Sequence, residues 1–172
     1  MTDRRRRARS LLGDGLAGAL AGLGASWVME RAQARISAAG SDETRARERR
    51  AQGELEPATV RAAEAAARAV GRPLGDREKA LGGAIVHYGT GAAFGALFGM
   101  IAPRVATPAL VAGTAYGLLV WLVSDEVLVP ALGLARNATS YPASVHARAL
   151  ASHLVYGAAT DASFRVLDRV LH

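Results

Sequence analysis

Seven charged or titratable side chains stand inside or at the edges of long uncharged tracts: His87, Asp125, Glu126 and His153, and separately Asp14, Asp161 and Arg165. Histidines that titrate near neutral pH beside carboxylates can carry or sense protons. Charges placed at membrane depth turn toward the bundle interior, where they pair or line a wet path. Two histidines and one carboxylate also supply enough donors for a metal ion, although no close i, i+4 ligand pair is present. A third use is structural, with histidines hydrogen-bonded to carboxylates or tyrosines and fixing the register of neighbouring helices. The residue types leave all three open. No metal or cofactor is expected. Nor is an enzyme, since the chain has no G-x-S-x-G, no P-loop and no dinucleotide fingerprint.

The elements that must position these groups are legible from charge distribution. Residues 80–103 contain no Lys, Arg, Asp or Glu. At about 1.5 Å per residue a helix of that length crosses a hydrocarbon core about 30 Å thick. His87 sits inside it, followed by Gly91, Gly95 and Gly99 at steps of four, a stripe that lets another helix approach closely. Residues 11–29 form a first candidate span, with Asp14, Gly18, Gly22, Ser26 and Glu30 on one stripe. A cleaved signal peptide is the alternative for this segment, but Asp14 interrupts the apolar run and no small-x-small cleavage site follows. Residues 106–129 form a third span, with Gly113, Gly117, Trp121 and Asp125 in the same geometry, and 148–169 a fourth, with His153, Gly157, Asp161 and Arg165. Asp125 and Glu126 point about 100° apart on a helix, so at most one is expected to share the glycine face.

Between the first two spans, residues 30–79 hold 11 basic and 9 acidic side chains and read as a polar loop. Its first half reads as flexible or weakly helical, and an amphipathic helix is expected near 57–70, docked on the protein or lying on the membrane surface. Residues 130–147 form a second loop. The chain ahead of the first span, residues 1–10, carries Arg4, Arg5, Arg6, Arg7 and Arg9, which keeps that end in the cytoplasm by the positive-inside tendency. Four crossings then put 30–79 and 130–147 outside and the C-terminus inside. Glu30, His87, Asp125 or Glu126, and His153 gather toward the outer surface, with Asp14, Asp161 and Arg165 toward the inner one.

The whole reading is an all-α integral membrane bundle of about four transmembrane helices packed through Gly and Ala faces, plus one amphipathic helix in a long polar loop. Its expected surroundings are the lipid bilayer and, because glycine stripes recur on several helices, further copies of itself. Nucleic acid is not expected despite a net charge of +6, because the loop arginines are interleaved with acids. No small-molecule substrate is indicated. The chain has 0 cysteines, which excludes disulfides and thiol chemistry.

From about Ala80 to Arg165 the order of features carries a resemblance: His87 in a span closed by Pro103, a glycine-rich third span, the turn Pro130-Ala131-Leu132-Gly133-Leu134, and Ser152-His153-Leu154-Val155-Tyr156 opening the last span. In these it resembles the YagU-like family of small, uncharacterised bacterial inner-membrane proteins, and the arginine-rich loop departs from that pattern. The resemblance implies a multi-span helical protein of the inner membrane with no assigned reaction, so no catalytic residue carries over. On this basis two functions compete: a non-enzymatic, self-associating membrane component, and a small proton or ion conductor using the His and acid cluster.

Overall fold

The computed structural model describes residues 10–105, 108 and 110–171, and all of its regular elements there are helical. The arginine cluster at residues 4–9 lies outside the described residues, as do 106, 107 and 109 at the expected start of the third span. The elements are α1 (Leu11–Ala39), α2 (Asp42–Gln52), α3 (Ala58–Ala69), α4 (Asp76–Ile101), α5 (Val111–Trp121), a π-helical segment (Leu122–Leu128), the turn α6 (Val129–Ala131) and α7 (Ala143–Leu171).

Three of these helices are long and apolar enough to cross a bilayer: Leu11–Ala39, Asp76–Arg104 and Val111–Ala131. The fourth long helix, α7, carries Arg148, Asp161, Arg165, Asp168 and Arg169 and is not among them. Residues 30–79 are not one loose loop. Helix α1 continues ten residues beyond the expected boundary at 29, because residues 30–39 are mostly good helix formers with no Gly or Pro among them. Ser41 then caps α2 by accepting from Thr44 N at 3.2 Å. Arg45 reaches back to the last carbonyls of α1, bonding Ala38 O at 3.0 Å and also Gly40 O. The expected helix near 57–70 is present as α3, with Pro57 as its N-cap.

Four long helices pack antiparallel between chain neighbours. In the α1/α4 pair, Gly18 lies against Gly95 and Gly99, Gly22 against Gly91 and Gly95, and the backbone of Asp14 against Gly99. A Cβ added to Gly95 would stand 2.7 Å from Gly22 Cα, closer than real side chains come, so the approach of the two backbones requires glycine there. The α5/α7 pair repeats the arrangement, with Gly113 and Gly117 against Gly157 and His153. Helices α1 and α7 meet in the centre. Ala17, Ala21, Phe98 and Phe164 form one core cluster, and Ala25, Val120 and Tyr156 another. Tyr156 Oη donates to Gly91 O at 2.7 Å, and Tyr116 Oη donates to Phe94 O, tying α4 to both members of the other pair.

The distribution of side-chain size inverts that of a water-soluble bundle. The largest fully buried side chains are Thr160, Asp14, Ser26 and Ser152, while Leu12, Leu16, Leu20, Trp27, Ile85 and Leu119 are each more than half exposed. Buried hydroxyls are satisfied within their own helices, as in Ser26 Oγ to Gly22 O and Thr160 Oγ1 to Tyr156 O. Small residues between helices with bulky apolar groups outward is the pattern of helices compatible with lipid, where close van der Waals contact replaces the hydrophobic effect as the packing force.

Helix α3 docks on protein. Ala63 Cβ and Val60 Cγ2 lie over Gly82 and Gly83 of α4, and Lys79 bridges Glu56 at 3.1 Å and Glu64 at 2.9 Å. Hydrogen bonding from Lys79 lowers the pKa of the Glu64 carboxyl.

Candidate functional site

The expected polar groups divide between two ends of the bundle. At about 1.5 Å per residue, Asp14 and Glu30 on α1 are separated by about 24 Å, most of a bilayer core. At the end that holds Asp14, a 3.0 Å ion pair joins this buried carboxylate to Arg104. Asp161, also buried, pairs with Arg165 at 2.7 Å and accepts from Leu110 N at 3.1 Å. Leu110 has a φ of 66°, a left-handed conformation that a leucine adopts at a cost, and the carboxylate of Asp161 holds it there. Thus Asp14, Asp161 and Arg165 share one end, but Asp14 takes Arg104 as its partner.

At the opposite end the local chain geometry starts from Pro130. In a regular α-helix this proline would lack a donor and clash with the carbonyl four residues earlier, at Glu126. The backbone instead widens into the π-helical segment Leu122–Leu128, and Val129 N bonds Ser124 O five residues back. Such widenings are frequent at functional sites. Asp125 and Glu126 lie within it.

The two carboxylates meet two histidines of α7. Asp125 Oδ2 is 3.7 Å from His153 Nδ1, and Glu126 Oε1 is 2.6 Å from His146 Nδ1. This corrects the expectation that at most one of the acids could share the packed face. In the widened helix both are engaged, each by a histidine from the same stripe of α7, since His146 and His153 are two turns apart. His146, which the sequence places in a loop, lies inside α7 and is the closer partner. Its other ring nitrogen, Nε2, is 3.0 Å from Ala138 O. His153 Nδ1 also faces Ala149 O at 2.9 Å.

His87 does not join this group. Its Nε2 lies 3.4 Å from Ser26 O, and its ring packs edge-on against Tyr88, whose hydroxyl donates to Glu30 at 2.6 Å. Among the described residues no hydrogen bond or ion pair links His87 to Asp125, Glu126 or His153. The reason is the pairing of helices: His87 faces α1, and the carboxylates face α7. Among the described residues no group of three or more His, Asp or Glu is placed to hold a metal ion.

A cleft of about 430 Å³ opens beside the acid and histidine pairs. The π segment and α7 line one side, Arg136 and Tyr141 of the loop after α6 another, and Gln52 of α2 with Leu55 and Pro57 of the link to α3 the third. Arg148 of α7 pairs with Glu48 of α2, which fastens the polar segment over this end. Sequence reading missed the Arg148 and Glu48 pair because nothing local connects positions 100 apart. It missed Gly82-Gly83 as a docking place for α3, although two adjacent glycines opposite an alanine-rich face were a usable signal.

Residues 73–162 match the model of a family described as "Protein of unknown function (DUF1440)". The matched stretch begins just before α4 and ends within α7, so it includes both glycine stripes of that half, the π segment and all three histidines named above. No curated protein and no solved structure matches the chain.

Proposed function

Since that match covers more than half of its 172 residues, the chain belongs to the DUF1440 family of proteins of unknown function, and we propose that it is a non-enzymatic component of the bacterial inner membrane, a bundle of four spans with a cytoplasmic N-terminus. The YagU-like resemblance supports the same address. The observation that carries the proposal is the setting of α7. By hydropathy this helix would not cross a bilayer, yet between Ala149 and Thr160 it holds no Lys, Arg, Asp or Glu and a single histidine, His153, which faces Asp125. Asp161 is enclosed against Arg165 and Leu110 N, and Arg148 pairs with Glu48. With α1 and α5 packed against it, α7 crosses as the shielded centre of the bundle, its charges paired or at its ends.

The glycine stripes serve to hold this bundle together. Because those of α1, α4, α5 and α7 are occupied within the chain, assembly of further copies would use other faces. Crosslinking in native membranes that yields only monomers removes self-association from the proposal. The conductor reading needs a polar route between the two ends. Between them stand Ala17, Ala21, Phe98 and Phe164, with the tyrosine hydroxyls committed to backbone carbonyls, which favours a structural component. Reconstituted protein that gave pH-dependent flux, lost in His153→Ala, would reverse that preference. Failure of the protein to stay with membranes through carbonate extraction would overturn the membrane assignment itself.

A further inference from the structure

His146 occupies an unusual position for a histidine. Both of its ring nitrogens face hydrogen-bond acceptors: Nδ1 the Glu126 carboxylate at 2.6 Å, and Nε2 the carbonyl of Ala138 at 3.0 Å. A neutral imidazole has one N–H, so one nitrogen would set a lone pair against an oxygen; only the imidazolium donates to both. The two acceptors belong to separate pieces of chain. Glu126 is on the π segment, and Ala138 is in the 3-10 turn Ala138–Ser140 of the loop that walls the cleft.

We propose that His146 is a proton-operated clasp: as the imidazolium it fastens the 132–142 loop to the π segment, and loss of its proton releases the loop and opens the cleft. The charged and titratable groups facing this place are Glu126 and Asp125 from the π segment, Arg148 and His153 from α7, and Arg136 and Tyr141 from the loop. Arg148 is held by Glu48 of α2, which offsets its charge. Glu126, in direct contact, dominates, and its hydrogen bond raises the pKa of the His146 ring above the ordinary histidine value. The direction of the pH effect follows. A pKa raised by folding means that the clasp is fully closed below the unfolded value, about 6.5, and weakens as pH rises through the higher folded value. The device sits at one end of the bundle and does not depend on whether α7 crosses the membrane.

The absence of cysteines makes a single spin label straightforward. With a nitroxide at Thr139→Cys in the full chain, label mobility is low at about pH 5.5 and rises only once pH has passed above the ordinary histidine value. In the His146→Ala background the label is mobile at every pH. In Glu126→Gln, which keeps an acceptor but removes the charge, the transition moves to lower pH. A second label at Gly24→Cys on α1, away from the loop, shows no transition. A flat profile in the wild-type background, a transition that survives His146→Ala, or one that Glu126→Gln leaves in place overturns the clasp. Should His146→Ala not fold, the Glu126→Gln shift alone decides.

Discussion

The most exacting side chain is Asp14, which is 2% exposed with one arginine against it. Removing the partner of a buried charge leaves the charge uncompensated, whereas removing both can be nearly neutral. We therefore predict that Arg104→Ala lowers the stability of the detergent-solubilised protein by about 3 kcal/mol, and that adding Asp14→Asn restores most of the loss. Equal destabilisation by the single and double variants in thermal or denaturant unfolding would show that Asp14 is not held by Arg104. Asp14 and Asp161 could be singled out from sequence because each interrupts an apolar tract, and the Asp161 and Arg165 pair follows from i, i+4 spacing. The Asp14 and Arg104 pair was not readable, because it joins residues 90 apart. The same limit applied to His87. Its stripe was visible, but whether it would face α1 or α7 depends on which helices become neighbours.

At the scale of elements, the glycine stripes make opposite predictions for two kinds of glycine. A Cβ at Gly95 would stand 2.7 Å from Gly22 Cα and 2.8 Å from Gly22 N, both backbone atoms of α1 that cannot move aside without separating the helices. Gly95→Ala should cost about 2 kcal/mol by overpacking. Gly24, on the same helix α1, has nothing within 4 Å of an added Cβ, so Gly24→Ala should be neutral or stabilising by up to about 1 kcal/mol through helix propensity. Melting temperatures of the two variants falling together would mean that the stripes are not the contact surface. The stripes were legible because step-four spacing is a property of a single helix. The widened segment was harder, since Pro130 announces a disruption without saying whether it ends the helix or swells it. The swelling is what brings Asp125 and Glu126 together onto α7. Helix α2 falls in the stretch that reads as flexible or weakly helical, because its sequence, DETRARERRAQ, has no apolar face. It stands through Ser41 at its start, the Arg47 and Glu43 pair at 3.0 Å along its side, and the Glu48 link to α7.

For the whole molecule, charge segregation and uncharged tract length indicated an all-helical bundle, and among the described residues three helices are apolar and long enough to span a bilayer. The fourth is a question of shielding, which hydropathy cannot evaluate: α7 is polar by sequence, yet its buried face includes Ser152, Tyr156, Thr160 and Phe164 packed among the other helices. Four crossings and three predict different sides for the C-terminus. Single cysteines placed at Ser41, Asn137, Val105 and Arg169 in this cysteine-free chain can be probed with a membrane-impermeant maleimide on sealed, oriented vesicles. The account predicts that positions 41 and 137 label from one side, and that 105 and 169 label only from the other. Labelling of 169 from the same side as 137 would show that α7 does not cross, and would contradict the four-span bundle on which the proposed function stands.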